Sequence, residues 1–163
     1  MNFVKATKSL TQIPNPNIRT IRLDELFNRI KILFQPKFNE QNVSLTIQLQ
    51  PADLSVDIDL ELIEQVIINL IQNALEAMKG SDASSLAITG IKNDSGRIQI
   101  SISDNGDGIG EEMLEKIFLP FFSTKNNNSG IGLSLSQQIM LLHHARLEVV
   151  SEKGKGATFI MIF

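Results

Sequence analysis

The stretch SISDNGDGIG, residues 101–110, changes character near its midpoint. Its first residues alternate between polar and apolar, which is typical of a half-buried strand. Asp104, Asp107 and three glycines then follow within seven positions. A carboxylate at a strand end can accept hydrogen bonds from a flat donor such as a purine amine, and glycines let a planar ring approach the backbone. A tight turn explains the same residues equally well, so neighbouring motifs must decide.

Around this corner the pattern predicts short strands and amphipathic helices. Strands are predicted at residues 19–23, 43–49, 54–58, 85–93, 96–104, 146–152 and 157–163. Helices are predicted after the capping residues Asp24 and Asp59, at residues 111–118 and at residues 130–144. Because strands outnumber helices and several are joined by hairpins, we expect an α/β (α+β) two-layer sandwich. In it, helices cover one face of a mixed, mostly antiparallel sheet.

Composition limits the possible functions. The 163 residues carry a formal net charge of −3 and no cysteine, which disfavours nucleic acid as a partner and excludes disulfides and thiolate metal sites. No apolar run approaches the roughly 20 residues that span a bilayer, so we expect a soluble, cytoplasmic domain without membrane contact, although the full-length protein could be membrane-anchored. The only histidines are His143 and His144.

The helix after Asp59 carries polar residues on one face. Asn69, Asn73, Glu76 and Ala77 stand at offsets 0, 4, 7 and 8, which places them together on a helix. Buried amides without partners would cost about 1–3 kcal/mol each. An asparagine oxygen on this face is a suitable ligand for a hydrated divalent cation between phosphates; amides that cap backbone or face water are the alternative.

A third motif is the segment FLPFFSTKNNNSGIGLSLSQQ, residues 118–138. Lys125 supplies a positive charge, and the asparagines and serines after it favour a mobile loop. Gly130 and Gly132 then open a helix whose first amides favour a bound polyphosphate. Loop and helix start together predict a lid over phosphates.

In this order and spacing, the motifs resemble the ATP-binding catalytic domain of bacterial sensor histidine kinases, in the superfamily of DNA gyrase, the ninety-kilodalton heat-shock chaperone and the mismatch-repair ATPases. EQVIINLIQNALEAM looks like the asparagine box, DNGDGIG the first glycine box, FLPFFSTK the phenylalanine box and SGIGLSLS the second glycine box. NALEAM and PFFSTK are most similar to the nitrogen-regulation branch. The resemblance implies the Bergerat-type ATP-binding fold.

The resemblance also implies roles for individual residues. Asn69, Asn73 and Lys125 would be catalytic, and Asn73 would ligate Mg²⁺. Asp104 would recognise adenine, and Lys125 would reach the terminal phosphates. The ATP-binding residues implied are Asn73, Glu76, Ala77, Asp104, Gly106, Gly108, Ile109, Phe122, Lys125, Ser129, Gly130, Ile131, Gly132, Leu133 and Thr158.

The residue type at position 69 distinguishes a phosphoryl-transfer site from a hydrolytic one. In the hydrolytic relatives this position holds a glutamate that activates water, and an amide cannot accept that proton. The resemblance therefore favours phosphoryl transfer to a histidine over rapid hydrolysis of the gyrase type. A nucleotide-gated interaction module that transfers no phosphate is the other alternative.

The acceptor histidine is not expected within this chain, because neither His143 nor His144 stands in an acceptor pattern. We expect residues 1–19 to be a linker and the tail of a missing dimerisation hairpin, and residues 20–163 to be the catalytic domain. The implied partners are the histidine-bearing dimerisation domain and, indirectly, a response regulator. The isolated domain would be a monomer and the full kinase a homodimer.

Overall fold

The computed structural model describes residues 13–80, 83–122 and 130–163. Within these ranges the strands are β1 (Arg19–Arg22), β2 (Ser44–Gln50), β3 (Ser55–Ile58), β4 (Ser85–Lys92), β5 (Ile98–Asp104), β6 (Arg146–Ser151) and β7 (Ala157–Ile162). The helices are α1 (Leu23–Glu40), α2 (Leu60–Ala77), α3 (Glu111–Leu114) and α4 (Gly132–Leu142). Each predicted element occurs, but α3 is shorter than the predicted helix at residues 111–118.

Five strands form one sheet in the order β2-β4-β5-β7-β6. β2 runs parallel to β4, and the other neighbours are antiparallel, which confirms the predicted mixed, mostly antiparallel sheet. The first and third strands do not join it. β1 and β3 pair with each other as a separate antiparallel ribbon, with Arg19 opposite Ile58. Because the two strands are antiparallel, β1 leads into α1 at one end of the ribbon and β3 leads into α2 at the other.

The helices cover one face of the five-stranded sheet, as the sandwich prediction requires. α1 packs against β2, α2 against β5 and α4 against β6. The residues that the sheet buries under these helices alternate along the strands and include Ile88, Ile100, Ile102, Phe159 and Met161. No helix in the described part of the chain has both the length and the apolar character needed to cross a membrane.

The two long helices begin differently. Asp59 caps α2 as predicted, since its Oδ1 accepts a hydrogen bond from the Leu62 N–H at 3.1 Å. Burial disfavours the charged form of Asp59, but hydrogen bonds from the Asn17 and Leu62 N–H groups outweigh this effect, so the pKa lies below its ordinary value. The predicted Asp24 cap of α1 is wrong: Arg22 is the N-cap residue, and Asp24 lies in the first turn, where it pairs with Arg22.

Candidate functional site

A cavity of about 620 Å³ lies where α2, the glycine-rich corner after β5, the start of α4 and the β6–β7 hairpin meet. Its size falls within the usual range for small-molecule sites. The lining residues include many of the sequence-predicted ones: Asn69, Asn73, Glu76, Ala77, Asp104, Gly108, Ile109, Phe122, Gly130, Gly132 and Leu133.

Helix α2 forms one wall of the cavity. Its apolar face is buried in the core, with Ile67, Leu70 and Ile71 fully covered, so the opposite stripe with Asn69 and Asn73 turns toward the cavity. At 1.5 Å per residue, Asn69 and Ala77 stand about 12 Å apart along the helix axis. The wall is therefore long enough to contact both the base and the phosphates of a nucleotide.

Asp104 lies at one end of the cavity as the last residue of β5. The residue is only 8% exposed, and its Oδ1 accepts a hydrogen bond from the Gly106 N–H at 2.9 Å. In the sheet register Asp104 stands between Leu86 and Ala157, both of which are buried. These neighbours restrict solvent around the carboxylate, which favours recognition of a directed donor over a hydrated ion.

The corner after Asp104 is fixed from two sides. The Asp107 N–H donates to the Ala77 carbonyl oxygen at 3.1 Å, and the Gly154 N–H donates to the Asp107 carbonyl oxygen at 2.6 Å. Gly108 has φ +65°, and a Cβ there would collide with the Glu152 carbonyl oxygen. This left-handed backbone and close approach require glycine. The corner thus joins the end of α2 to the β6–β7 hairpin.

The start of α4 forms the opposite end of the cavity. Gly130, Gly132 and Leu133 line it, and a Cβ at Gly132 would collide with Asn69 Oδ1. Asn69 Nδ2 donates a hydrogen bond to Ser136 Oγ at 3.0 Å, so α4 is bound directly to α2 at this end. The first backbone amides of a helix suit an anion, and α4 presents its first turn here.

Two more of the predicted residues, Gly106 and Ile131, are described but do not line the cavity. Gly106 and Ile131 lie behind its walls: a Cβ at Gly106 would come within 2.6 Å of the Ala77 carbonyl oxygen, and Ile131 is only 8% exposed. Lys125 and Ser129 lie outside the described residues.

Thr158 is a correction to the predicted set. Its Oγ1 lies 2.7 Å from Ser103 Oγ, on the sheet face opposite the helices, because side chains of adjacent strand residues point to opposite faces. Ala157 and Phe159 line the cavity instead. The alternation in ATFIMIF, residues 157–163, carried this information, since Ala157, Phe159 and Met161 follow one apolar face.

Sequence reasoning missed several lining residues. They are Gln72, Ala74, Asp107, Glu112, Met113, Ile117, Lys153 and Phe159. Lys153 is the notable one, because its turn appeared only as a hairpin connection in the sequence. In the structure the Gly154–Asp107 hydrogen bond brings Lys153 to the same end as Asp104. Lys155 instead pairs with Glu152 at 2.8 Å.

The cavity is acidic in the described part of the chain. Four carboxylates line it, from Glu76, Asp104, Asp107 and Glu112, against one described cation, Lys153. A polyphosphate would meet a negative potential there unless counter-charge accompanied it. The described residues contain no group of three or more His, Asp or Glu side chains that could hold a metal ion alone. The Asn73 oxygen fits a magnesium ion that takes its other ligands from phosphates and water.

The sequence matches the family described as Histidine kinase-, DNA gyrase B-, and HSP90-like ATPase over residues 58–163. The chain belongs to this family. The matched region contains α2, the glycine-rich corner, α4 and the β6–β7 hairpin, which are the elements that form the cavity.

Two curated relatives are sensor kinases. The sensor protein FixL of Bradyrhizobium diazoefficiens is 38% identical over 120 residues, which cover 74% of this chain and 24% of FixL. The sensor histidine kinase ZraS of Klebsiella oxytoca is 32% identical over 141 residues, which cover 86% of this chain and 30% of ZraS. The chain thus spans less than a third of either relative.

Solved structures of histidine kinases have the same fold as this chain. The catalytic domain of histidine kinase ThkA superposes with a TM-score of 0.81 at 32% identity, covering 90% of this chain and 95% of that domain. ThkA in complex with the response regulator TrrA gives 0.82 at 29% identity, with 98% and 45% coverage. Full-length ShkA with AMPPNP gives 0.84 at 20% identity, with 99% and 34% coverage, and shows the shared fold. The chain is an ATP-binding catalytic domain of the sensor histidine kinase type.

Proposed function

We propose that this chain binds Mg-ATP in the cavity between α2 and the glycine-rich corner and transfers the γ-phosphoryl group to a histidine on a separate dimerisation domain. The observation that carries the proposal is the arrangement along one wall. Asp104 lies at one end and Asn69 at the other, with Asn73 between them on α2. The span of about 12 Å from Ala77 to Asn69 suits a purine followed by a triphosphate.

The end with Asp104 binds the base. The carboxylate accepts a hydrogen bond from the exocyclic amine of adenine, and the Gly106 N–H keeps the carboxylate oriented. Gly108 and Ile109 offer a flat backbone surface to the ring, and Ala157 lines the cavity where Thr158 does not. Glu76, Ala77 and Phe122 complete this half of the site.

The end with α4 binds the phosphates. The first amides of α4 at Gly132 and Leu133 lie at the cavity, preceded by Gly130. Lys125 and Ser129, which lie outside the described residues, are proposed to contact the phosphates. Asn73 holds the metal, which neutralises charge on the phosphates when bound. By holding this metal ion, Asn73 indirectly reduces the electrostatic repulsion between the nucleotide and the acidic lining.

Asn69 directs the reaction toward transfer. It occupies the position at which a general base would activate water, and its amide cannot accept a proton. The nearest lining acid on α2, Glu76, stands seven residues away, about 10 Å along the axis. A nucleophile with its own proton acceptor, supplied by another domain, fits this site better than water does.

Several features of the whole protein follow as proposals. Residues 1–19 form the linker from the histidine-bearing domain, and residues 20–163 form the catalytic domain. The response regulator seen with ThkA suggests a comparable partner here. The complete kinase is a cytoplasmic or membrane-anchored homodimer with a cytoplasmic catalytic domain, and the motifs NALEAM and PFFSTK favour the nitrogen-regulation branch.

Mixing this chain with γ-labelled ATP, Mg²⁺ and the dimerisation domain of its own protein tests the proposal. We expect acid-labile label on the dimerisation domain, and none when its histidine is replaced. Nucleotide binding without transfer would favour a nucleotide-gated interaction module. Steady phosphate release by this chain alone would favour hydrolysis of the gyrase type.

A further inference from the structure

Two buried serines on α4 bond in different directions. Ser134 is 4% exposed, and its Oγ donates a hydrogen bond at 2.8 Å to the carbonyl oxygen of Ile131, the N-cap residue of the same helix. Ser136 is 2% exposed, and its Oγ accepts from Asn69 Nδ2 at 3.0 Å, across to α2. A buried hydroxyl that bonds a neighbouring helix fixes the partner side chain as well as itself.

Both ends of the Asn69 amide lie against α4, but only its nitrogen is hydrogen-bonded there. Gly132 and Ser136 stand four residues apart, so they share the helix face that meets α2. Ser136 engages the amide nitrogen, and the absent Cβ of Gly132 leaves space for Oδ1. In the described part of the chain, Oδ1 receives no hydrogen bond. Asn69 and Gly132 both line the cavity.

This orientation decides what the amide offers to a ligand. The two ends of an asparagine amide have nearly the same shape but opposite chemistry, and the last torsion is roughly two-fold. A carbonyl oxygen can serve a cation or its bound water, whereas an NH₂ group would face the cation with a donor. Hydrogen bonding of Nδ2 to Ser136 leaves the oxygen beside Gly132, the first residue of α4, which lines the cavity.

We propose that Ser136 is a positioning residue that turns the Asn69 carbonyl oxygen toward the metal–phosphate end of the cavity. The inference rests on the proposed function, because it concerns how the same site senses Mg²⁺. Removal of the Ser136 hydroxyl lets the amide rotate, so the site loses part of its preference for the metal-bound nucleotide.

The test compares Ser136→Ala with Ser134→Ala, a matched control two residues away on the same helix. The measured quantity is the ratio of the Kd for AMPPNP without Mg²⁺ to the Kd with Mg²⁺, by calorimetry on the full chain. We expect Ser136→Ala to lower this ratio by about three- to tenfold, the effect of one lost hydrogen bond. Ser134→Ala should leave the ratio at its original value. Should Ser136→Ala not fold, Ser136→Cys, with a weak acceptor of similar size, should lower the ratio in the same direction.

The outcomes are distinguishable. An unchanged ratio in Ser136→Ala, or an equal loss in Ser134→Ala, would overturn the role of Ser136 and leave the proposed function intact. Failure of the unsubstituted chain to bind AMPPNP would overturn both. In the double variant Asn69→Ala with Ser136→Ala, the serine substitution should add nothing to the effect of Asn69→Ala, because the serine acts through the amide. An additive effect would contradict the inference.

Discussion

Replacement of Asp104 by asparagine should change the base preference of the cavity. Asp104 is 8% exposed, and its Oδ1 accepts a hydrogen bond from the Gly106 N–H at 2.9 Å. Asparagine retains an acceptor for this N–H, so the fold should persist, but it presents an NH₂ group where adenine presents its amine. A hydrogen bond to a charged group contributes about 1.5–3 kcal/mol, so ATP should bind about 10- to 150-fold more weakly.

Inosine triphosphate makes this prediction specific. Its ring carries an oxygen where adenine carries the amine, so the asparagine NH₂ can donate to it, and its affinity should hold or rise. Calorimetric titration of ATP and inosine triphosphate into both proteins measures the preference. Asp107→Asn is the matched control, because Asp107 also lines the cavity but is exposed and is fixed through its backbone. An unchanged ATP-to-inosine-triphosphate ratio in Asp104→Asn, or an equal shift in Asp107→Asn, would refute the reasoning.

Three further substitutions test other parts of the site and fold. Asn73→Ala should abolish the Mg²⁺ enhancement of AMPPNP binding while thermal unfolding changes little, and retained enhancement would contradict the metal assignment. Lys153→Met should weaken adenosine and ATP alike, by about two- to fivefold, because Lys153 lies at the base end and would lose about one exposed hydrogen bond to the base. Lys155→Met, which loses only the Glu152 pair, should not weaken either ligand. A loss that grows with the number of phosphates would place Lys153 elsewhere. Asp59→Ala should cost about 0.5–2 kcal/mol in denaturant unfolding at neutral pH. Because the folded pKa of Asp59 is lowered, this stabilisation is complete above the unfolded pKa of about 3.9 and disappears at more acidic pH, so wild type and variant should converge there.

The sequence predicts local structure well where a residue interacts with backbone groups only a few positions away. Asp59 caps α2 because its side-chain oxygen accepts a hydrogen bond from the N–H of Leu62, only three residues along the chain. Gly108 requires a left-handed backbone, and the surrounding pattern of aspartates and glycines already indicated a tight corner. The strand boundaries follow from alternation, which depends only on adjacent residues.

Contacts between distant segments were harder to predict. Nothing local shows that β1 pairs with β3 apart from the main sheet, because that choice depends on where two helices pack. Lys153 reaches the cavity through a hydrogen bond between Gly154 and Asp107, which are 47 residues apart in the numbering. The Ser136–Asn69 hydrogen bond likewise joins two helices separated by 67 positions.

Backbone amide shifts of the isotope-labelled chain, followed by NMR during titration with AMPPNP and Mg²⁺, test the central claim most directly. The described structure offers a second cleft, lined by Arg97 and His143 among others, for comparison. A nucleotide in the proposed cavity should shift Ala77, Gly108 and Gly132 most strongly. Shifts concentrated around Arg97 and His143, or none at saturating nucleotide, would contradict the account.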